Sequence, residues 1–457
     1  MTDQDVLWVV EQHLQRLLSP IEQKVVLKTL QGTAYDGMEQ ELGYVSGYLK
    51  EVGAQLWKEL SEALGQRVTK RNLPYVLKQY SNRSFVPSSS SVLTLQPLTP
   101  TDMSFPGGPL SADSPFYLPR PPIEAQAMQE ITRTGCLLRI SGPHRFGRSS
   151  LLNQITARAD TLGYERVYLN LHDAEVSILT SLRPFLRWFC SSLCRQLNLS
   201  PVLDHYWDDA IGSKLSCKLF FEHYLLERID SPIVLILDEL QQMFAYPAIA
   251  QDMLSLLGSL YEQTRQSIRW QKLRLILSYS TDSLMPWVAP FLLQMGLSLR
   301  LPPFQTTEVL QLARLYGLNW RTDGDGWQMA ASLQHLVGGH PYLTTVALYH
   351  FAQQQLTLEQ LWQTAATPRS IYHEHLQQQW LHLTSDAALA AAFQQVLQAE
   401  PGVRLDSLSA YRLENMGLAE FDGIQTRITT QLYRLYFQSR GLETSSIQEV
   451  SLASAED

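Results

Sequence analysis

The chain has 457 residues, with 36 Lys and Arg against 44 Asp and Glu for a net charge of -8, a length that implies roughly two to four domains. Apolar residues at 45% and charged residues at 18% supply packed cores and exclude a disordered chain, while the acidic balance disfavours a chain-wide nucleic-acid binder. Four cysteines form neither a disulfide framework nor a zinc cluster, and the lack of a ~20-residue apolar run or a basic leader gives the expectation of a cytoplasmic protein without a membrane segment.

From Met1 to Tyr80 the pattern is helical. Val6, Leu7, Val10, Leu14, Leu17 and Leu18 share a stripe, Ile21 to Leu30 opens behind Ser19-Pro20, and Tyr35 to Leu42 repeats the pattern. Gly43 then ends the short helix, and Val45 to Leu60 makes a longer one with Tyr48, Leu49, Val52, Leu56 and Leu60 inward. A short helix, a Gly-containing turn and a longer helix are the ingredients of a helix-turn-helix. Lys50, Gln55 and Lys58 on the outer face, and Arg67, Lys70 and Arg71 just beyond it, are candidate contacts to DNA or a protein partner. Nine basic against ten acidic residues over this stretch favour protein docking over DNA.

Residues 81–114 carry nine Ser and five Pro and almost no charge, so they read as a flexible linker spanning on the order of 30 Å. Beyond it, Gly135 to Ile140 reads as a buried strand, Ser141 to Arg148 as a loop and Ser149 to Ala159 as a helix. The loop matches GxxxxG-K-[ST] at every fixed place except the lysine, where Arg148 stands. In that pattern glycines let backbone N–H groups turn onto phosphate oxygens at a helix N-terminus, a cation neutralises the outer phosphates, and the next hydroxyl, here Ser149, ligates magnesium. About 90 residues on, the apolar strand Ser231 to Asp238 ends in Asp238-Glu239, the place for one carboxylate on magnesium and one to polarise a water. Arg166 to Leu171, Leu273 to Ser278 and Leu297 to Leu301 are further strands; with helices such as Leu182 to Leu197 and Met253 to Gln266 between them, they call for a parallel sheet covered on both faces.

The segments PFYLPRPPIEAQAMQEI, GPHRFGRSSLL, VLILDEL, LSYSTD, PPFQTTEVLQLARLYGL and LVGGHPYL together resemble the AAA-like ATPase domain of bacterial STAND-related proteins, from about Pro115 to Gly441. QELGYVSGYLKEVGAQLWKELSEALG and RVTKRNLPYVL resemble the helix-turn-helix that precedes such domains in proteins associated with vWA and MoxR-type ATPase conflict systems. The resemblance implies an α/β P-loop NTPase core over 115–305, a helical subdomain over 306–370, a winged-helix subdomain over 371–441 and a polar tail over 442–457, behind an all-α helix-turn-helix domain over 1–80. It implies that Gly142, Gly147, Arg148, Ser149 and Ser150 line a triphosphate, that Asp238 with Ser149 holds Mg2+, and that Glu239 is the catalytic acid. The resemblance also implies that Ser280 or Thr281 takes the sensor position and that Pro341 of Gly339-His340-Pro341 lets the helical subdomain feel the adenine.

Two departures bear on activity. Arg148 replaces the lysine, and a planar guanidinium cannot bridge the outer phosphates as a compact ammonium does. Asp282 follows Ser280-Thr281 where signalling members present an arginine toward the terminal phosphate, and Arg274 and Arg300 read as solvated strand-edge residues. The eleven histidines are scattered, with His373 and His375 read as solvated. The leading expectation is a nucleotide-dependent scaffold or switch that binds ATP or ADP, with at most weak hydrolysis. Its N-terminal module docks a partner, such as a separately encoded effector or ATPase of a bacterial conflict system, and homo-oligomer formation stays open. A slow signalling ATPase and a DNA-binding regulator are the alternatives.

Overall fold

The computed structural model describes residues 10, 20–30, 33–42, 46–64, 67–70, 72, 73, 76 and 104–440, the last without 285, 286, 289, 291, 293, 294, 322 and 323. Arg71, the tether up to residue 103, the tail and all of the first apolar stripe except Val10 therefore lie outside the described residues. The chain forms two units, Met1–Thr94 and Leu95–Asp457.

In the first unit, α1 (Pro20–Leu30), α2 (Tyr35–Leu42) and α3 (Ser46–Leu64) pack around Val25, Val26, Met38, Leu49, Leu56 and Leu60, all fully buried. Leu49, Val52, Leu56 and Leu60 recur every three or four residues, the spacing that puts an apolar stripe on one helix face. Gly53 lets α2 approach closely, since a Cβ there would collide with the Tyr35 hydroxyl. That hydroxyl accepts from Trp57 Nε1 at 3.2 Å.

The second unit opens with α4 (Ile123–Glu130) and is built on a five-stranded sheet. Its strands are β1 (Leu137–Gly142), β2 (Glu165–Asn170), β3 (Ile233–Asp238), β4 (Leu273–Ser280) and β5 (Leu297–Arg300), in the order β2-β3-β4-β1-β5, every pair parallel. Parallel strands covered on both faces bury alternate residues in different layers. On β3, Ile233, Leu235 and Leu237 face one core while Val234 and Ile236 face the other. The helix α5 (Arg148–Thr161) covers the second of these with Leu151, Leu152 and Ile155, and α6 (Leu182–Gln196) and α8 (Pro247–Gln266) cover the first, beside α7 (Ser213–Phe220). Because β4 lies between β1 and β3, Ser280 at its end pairs with Gly142 of β1 on one side and neighbours the Asp238 end of β3 on the other.

Behind the sheet come α9 (Thr306–Leu315), α10 (Asp325–Val337), α11 (Pro341–Ala352), α12 (Leu358–Thr364), α13 (His373–Thr384), α14 (Ala387–Gln398) and α15 (Ser407–Asn415). The antiparallel hairpin β6 (Ala419–Phe421) and β7 (Thr426–Ile428) and α16 (Gln431–Arg440) follow. A single apolar cluster runs from Val309 to Phe437, so residues on both sides of position 370 share one core. The last part of the stretch read as a tether is ordered against the first helix of the sheet: Leu110 O accepts from Asn153 Nδ2 at 2.8 Å and Ala112 O from Gln154 Nε2 at 2.9 Å.

Candidate functional site

β1 leads into the loop 143–147, and α5 leads out of it. Gly147 caps α5 at φ +91, a left-handed value suited to glycine, and a Cβ there would stand 3.2 Å from the Arg120 guanidinium. Gly142 has ordinary space around it and no such φ, so only the second glycine is required by the backbone. No side chain caps α5. The N–H groups of its first turn thus lack intrahelical partners and carry the positive end of the helix dipole.

The loop is held from several sides. The His144 N–H donates to Asp282 Oδ2 at 2.9 Å, Arg120 Nη1 donates to Phe146 O at 2.9 Å, and the Arg145 guanidinium lies 4.2 Å over the Tyr342 ring. Asp282 thus anchors the loop where an arginine was sought, and burial pushes its carboxyl up to about 6. Thr281 donates its N–H to Gly142 O at 3.1 Å and its hydroxyl to Asn415 O at 2.6 Å, tying β4 to the C-terminal segment.

Arg148 is 5% exposed; its Nη2 donates to Glu239 Oε1 at 3.2 Å, while its Nη1 is buried without a partner. Glu239, at φ +57, also accepts from Gln241 Nε2, and Gln241 Oε1 accepts the Ser280 N–H at 2.9 Å. Asp238 is 1% exposed. Its Oδ2 accepts from Tyr168 OH at 2.5 Å and from Ser149 Oγ at 3.3 Å, and its Oδ1 accepts the Glu239 N–H at 2.9 Å. Burial and the facing Asp238 carboxylate push the Tyr168 phenol well above its ordinary value, so it stays a donor.

A cavity of about 380 Å3 opens over the loop. Gly147, Arg148, Ser149, Ser150, Glu239 and Pro341 line it; Gly142, Asp238, Ser280 and Thr281 do not. Pro106 to Leu110 form a strap along another wall, pinned by the Leu110 N–H on Ser150 Oγ at 2.9 Å and by Phe105 edge-on to Tyr349 at 5.5 Å. Sequence reasoning missed this strap, together with Arg120, Tyr168 and Gln241. The Pro-Gly-Gly-Pro run looks like tether, and a tyrosine on an edge strand has no signature.

Three further readings need correction or comment. His375 is 2% exposed rather than solvated, its Nε2 2.8 Å from Tyr433 OH. Arg274 is 3% exposed, donating from Nε to Ile131 O at 2.7 Å, whereas Arg300 is exposed and reaches Glu414 O at 3.1 Å; neither lines the cavity. On the first unit Lys50, Gln55, Lys58 and Arg67 are exposed, and the Lys70 ammonium lies 3.9 Å over the Tyr35 ring. A shallow groove of about 560 Å3 between α1 and α3 is walled by Ile21, Val52 and Ala54 and rimmed by Glu22, Glu51 and Lys58.

The family model described as an AAA-like domain matches residues 105–439, and that of the vWA-MoxR associated protein N-terminal HTH matches residues 4–80. No curated protein matches the chain. Among solved structures, the chain is similar to the Walker-type ATPase PABY2304 of Pyrococcus abyssi, with 12% identity over 70% of this chain and 96% of that one at a TM-score of 0.47. It is also similar to the Aeropyrum pernix ORC2 protein in ADPNP-ADP complexes, with 16% identity over 75% of this chain and 98% of that one at a TM-score of 0.45.

Proposed function

The chain belongs to the AAA-like domain family, and we propose that it is a nucleotide-binding scaffold or switch that holds ATP or ADP with little or no hydrolysis. The observation that carries this reading is the state of Arg148, the first residue of the uncapped helix α5: one arm pairs with Glu239, and the other is a buried donor with no partner. A phosphate oxygen is the acceptor that such a donor and such a helix end suit. Gly147, Ser149, Ser150 and Pro341 would line the same ligand.

Glu239 is the residue that would polarise an attacking water. Paired with Arg148 and Gln241, it has both oxygens engaged, which supports weak turnover or none. A ligand at a hundred times its dissociation constant stabilises the bound form by about 2.7 kcal/mol, enough to bias a conformational balance without hydrolysis. The magnesium ion that the family implies finds a poor fit. Asp238 is buried, engaged at both oxygens and absent from the cavity wall, and among the described residues no group of three or more His, Cys, Asp or Glu is placed to hold a metal. No step of this reading passes through a metal ion.

For the first unit, the groove between α1 and α3 supports protein docking. Its apolar floor suits a side chain of a partner, and Glu22 and Glu51 beside Lys58 give a mixed rim that suits phosphates poorly. A separately encoded effector in a bacterial conflict system is the partner that this reading anticipates, and the C-terminal helices with the β6-β7 hairpin correspond in it to a winged helix.

Thermal unfolding of the full chain with and without ATP tests the core of the proposal, alongside phosphate release. ATP should raise the melting temperature while release stays at background. No shift would remove the nucleotide reading, and robust release abolished by Glu239→Gln would replace the scaffold with a signalling ATPase.

A further inference from the structure

We propose that this site takes its nucleotide without a divalent cation, and that Tyr168 is the residue that decides it. The inference rests on the nucleotide reading above and goes one step further, to the form of the ligand.

In a phosphate-loop site a magnesium ion needs open oxygen ligands, near-octahedral geometry and room for several waters. Asp238 offers none of these. Tyr168 reaches across from β2 to the end of β3 and donates to Oδ2 at 2.5 Å, beside the Ser149 hydroxyl at 3.3 Å. The Glu239 N–H occupies Oδ1. A cation would have to displace the Tyr168 hydroxyl from a carboxylate that is 1% exposed. Ser149, the other expected ligand, donates its proton to Asp238 but keeps its oxygen lone pairs on the cavity wall, so the exclusion rests on Asp238 alone.

The cavity meets the second requirement of a metal-free site, which is charge compensation from the protein. Arg120, Arg145 and Arg148 line it against one acid, Glu239. Cationic side chains and helix N–H groups can therefore do electrostatically what a divalent ion does elsewhere. Tyr168 lies outside that wall, so it acts by closing Asp238 and not by touching the ligand.

The test is a calorimetric titration of the full chain with ADP, once in excess MgCl2 and once in excess EDTA. The dissociation constants should agree within about fivefold. Tighter binding in magnesium by more than that overturns the inference and leaves the nucleotide reading standing, whereas no binding in either buffer removes both. Tyr168→Phe keeps the ring and leaves Oδ2 with the Ser149 hydroxyl as its one side-chain donor, and magnesium should then tighten ADP binding by about tenfold or more. If Tyr168→Phe folds, by circular dichroism, and stays indifferent to magnesium, the role given to Tyr168 is wrong. If it does not fold, Mn2+ replaces it as the probe: in the paramagnetic spectrum of the wild-type chain with ADP, a free-ion signal supports the inference and a protein-bound one overturns it.

Discussion

Phe146, in the loop ahead of α5, meets His340 of the Gly-Gly-His-Pro turn edge to face, with ring centroids 4.7 Å apart. His340 in turn lies 5.1 Å from the His375 ring, and His375 Nε2 lies 2.8 Å from Tyr433 OH. A run of aromatic rings thus joins the loop ahead of α5 to the C-terminal helices.

These buried histidines give the fold an acid limit. Burial holds His340 well below its ordinary value of 6.5 and His375 down at about 3. Below about pH 6.5 the unfolded chain takes up protons that the folded chain refuses, so their stabilisation is complete above that pH. It is lost on acidification by at most about 1.4 kcal/mol per pH unit for each. Asp282, raised to about 6, works in the opposite sense: its folded form keeps a proton that the unfolded chain releases, so its contribution fades as the pH rises from about 4 to about 6. With His144 also held down at about 4 by burial, the histidines outweigh Asp282 and stability falls below pH 6. Urea unfolding between about pH 7 and 5 should show a shallower decline for His375→Gln than for the wild type. Equal slopes would assign the acid limit to other groups.

Arg148→Ala removes a charged donor from the proposed phosphate site and one partner from Glu239. ADP affinity should drop by about tenfold to a hundredfold, the usual worth of a hydrogen bond to a charged group, with the far-ultraviolet spectrum unchanged. A folded variant with wild-type affinity would mean that the loop holds no phosphate.

Gly339 sits at φ +68, and a Cβ on it would collide with the Phe304 carbonyl oxygen, while the Phe304 N–H donates to Gly339 O at 2.8 Å. Gly163 has a similar φ of +69 but open space around it. Gly163→Ala should cost about 1 kcal/mol from backbone strain alone, and Gly339→Ala more than about 2 kcal/mol. Equal costs in chemical denaturation would show that the crowding at Phe304 is relieved cheaply.

Much of this was legible in the order of residues. Runs such as Ile233 to Asp238 read as strands because a sheet covered on both faces needs apolar side chains at consecutive positions. Gly147 and Ser149 marked the strand-to-helix turn because only a few residue types fit there. The strap and Tyr168 were not legible. Pro106 to Leu110 have the composition of a tether and become a wall only because α5 offers Ser150 and Asn153 to them. His375 and Arg274 gave no sign of burial, since a polar residue looks alike in sequence whether water or Tyr433 completes it.

Local chemistry alone therefore pointed to the buried strands of the sheet, and to a phosphate-loop pattern with an arginine in it at the head of a helix. Whether that arginine stands free or clasps Glu239, 91 positions away in the chain, depended on the sheet. Strand order gathers the strand ends along one edge of the sheet, and with β4 alone between β1 and β3 the long side chain at the start of α5 comes within reach of the residue that follows β3.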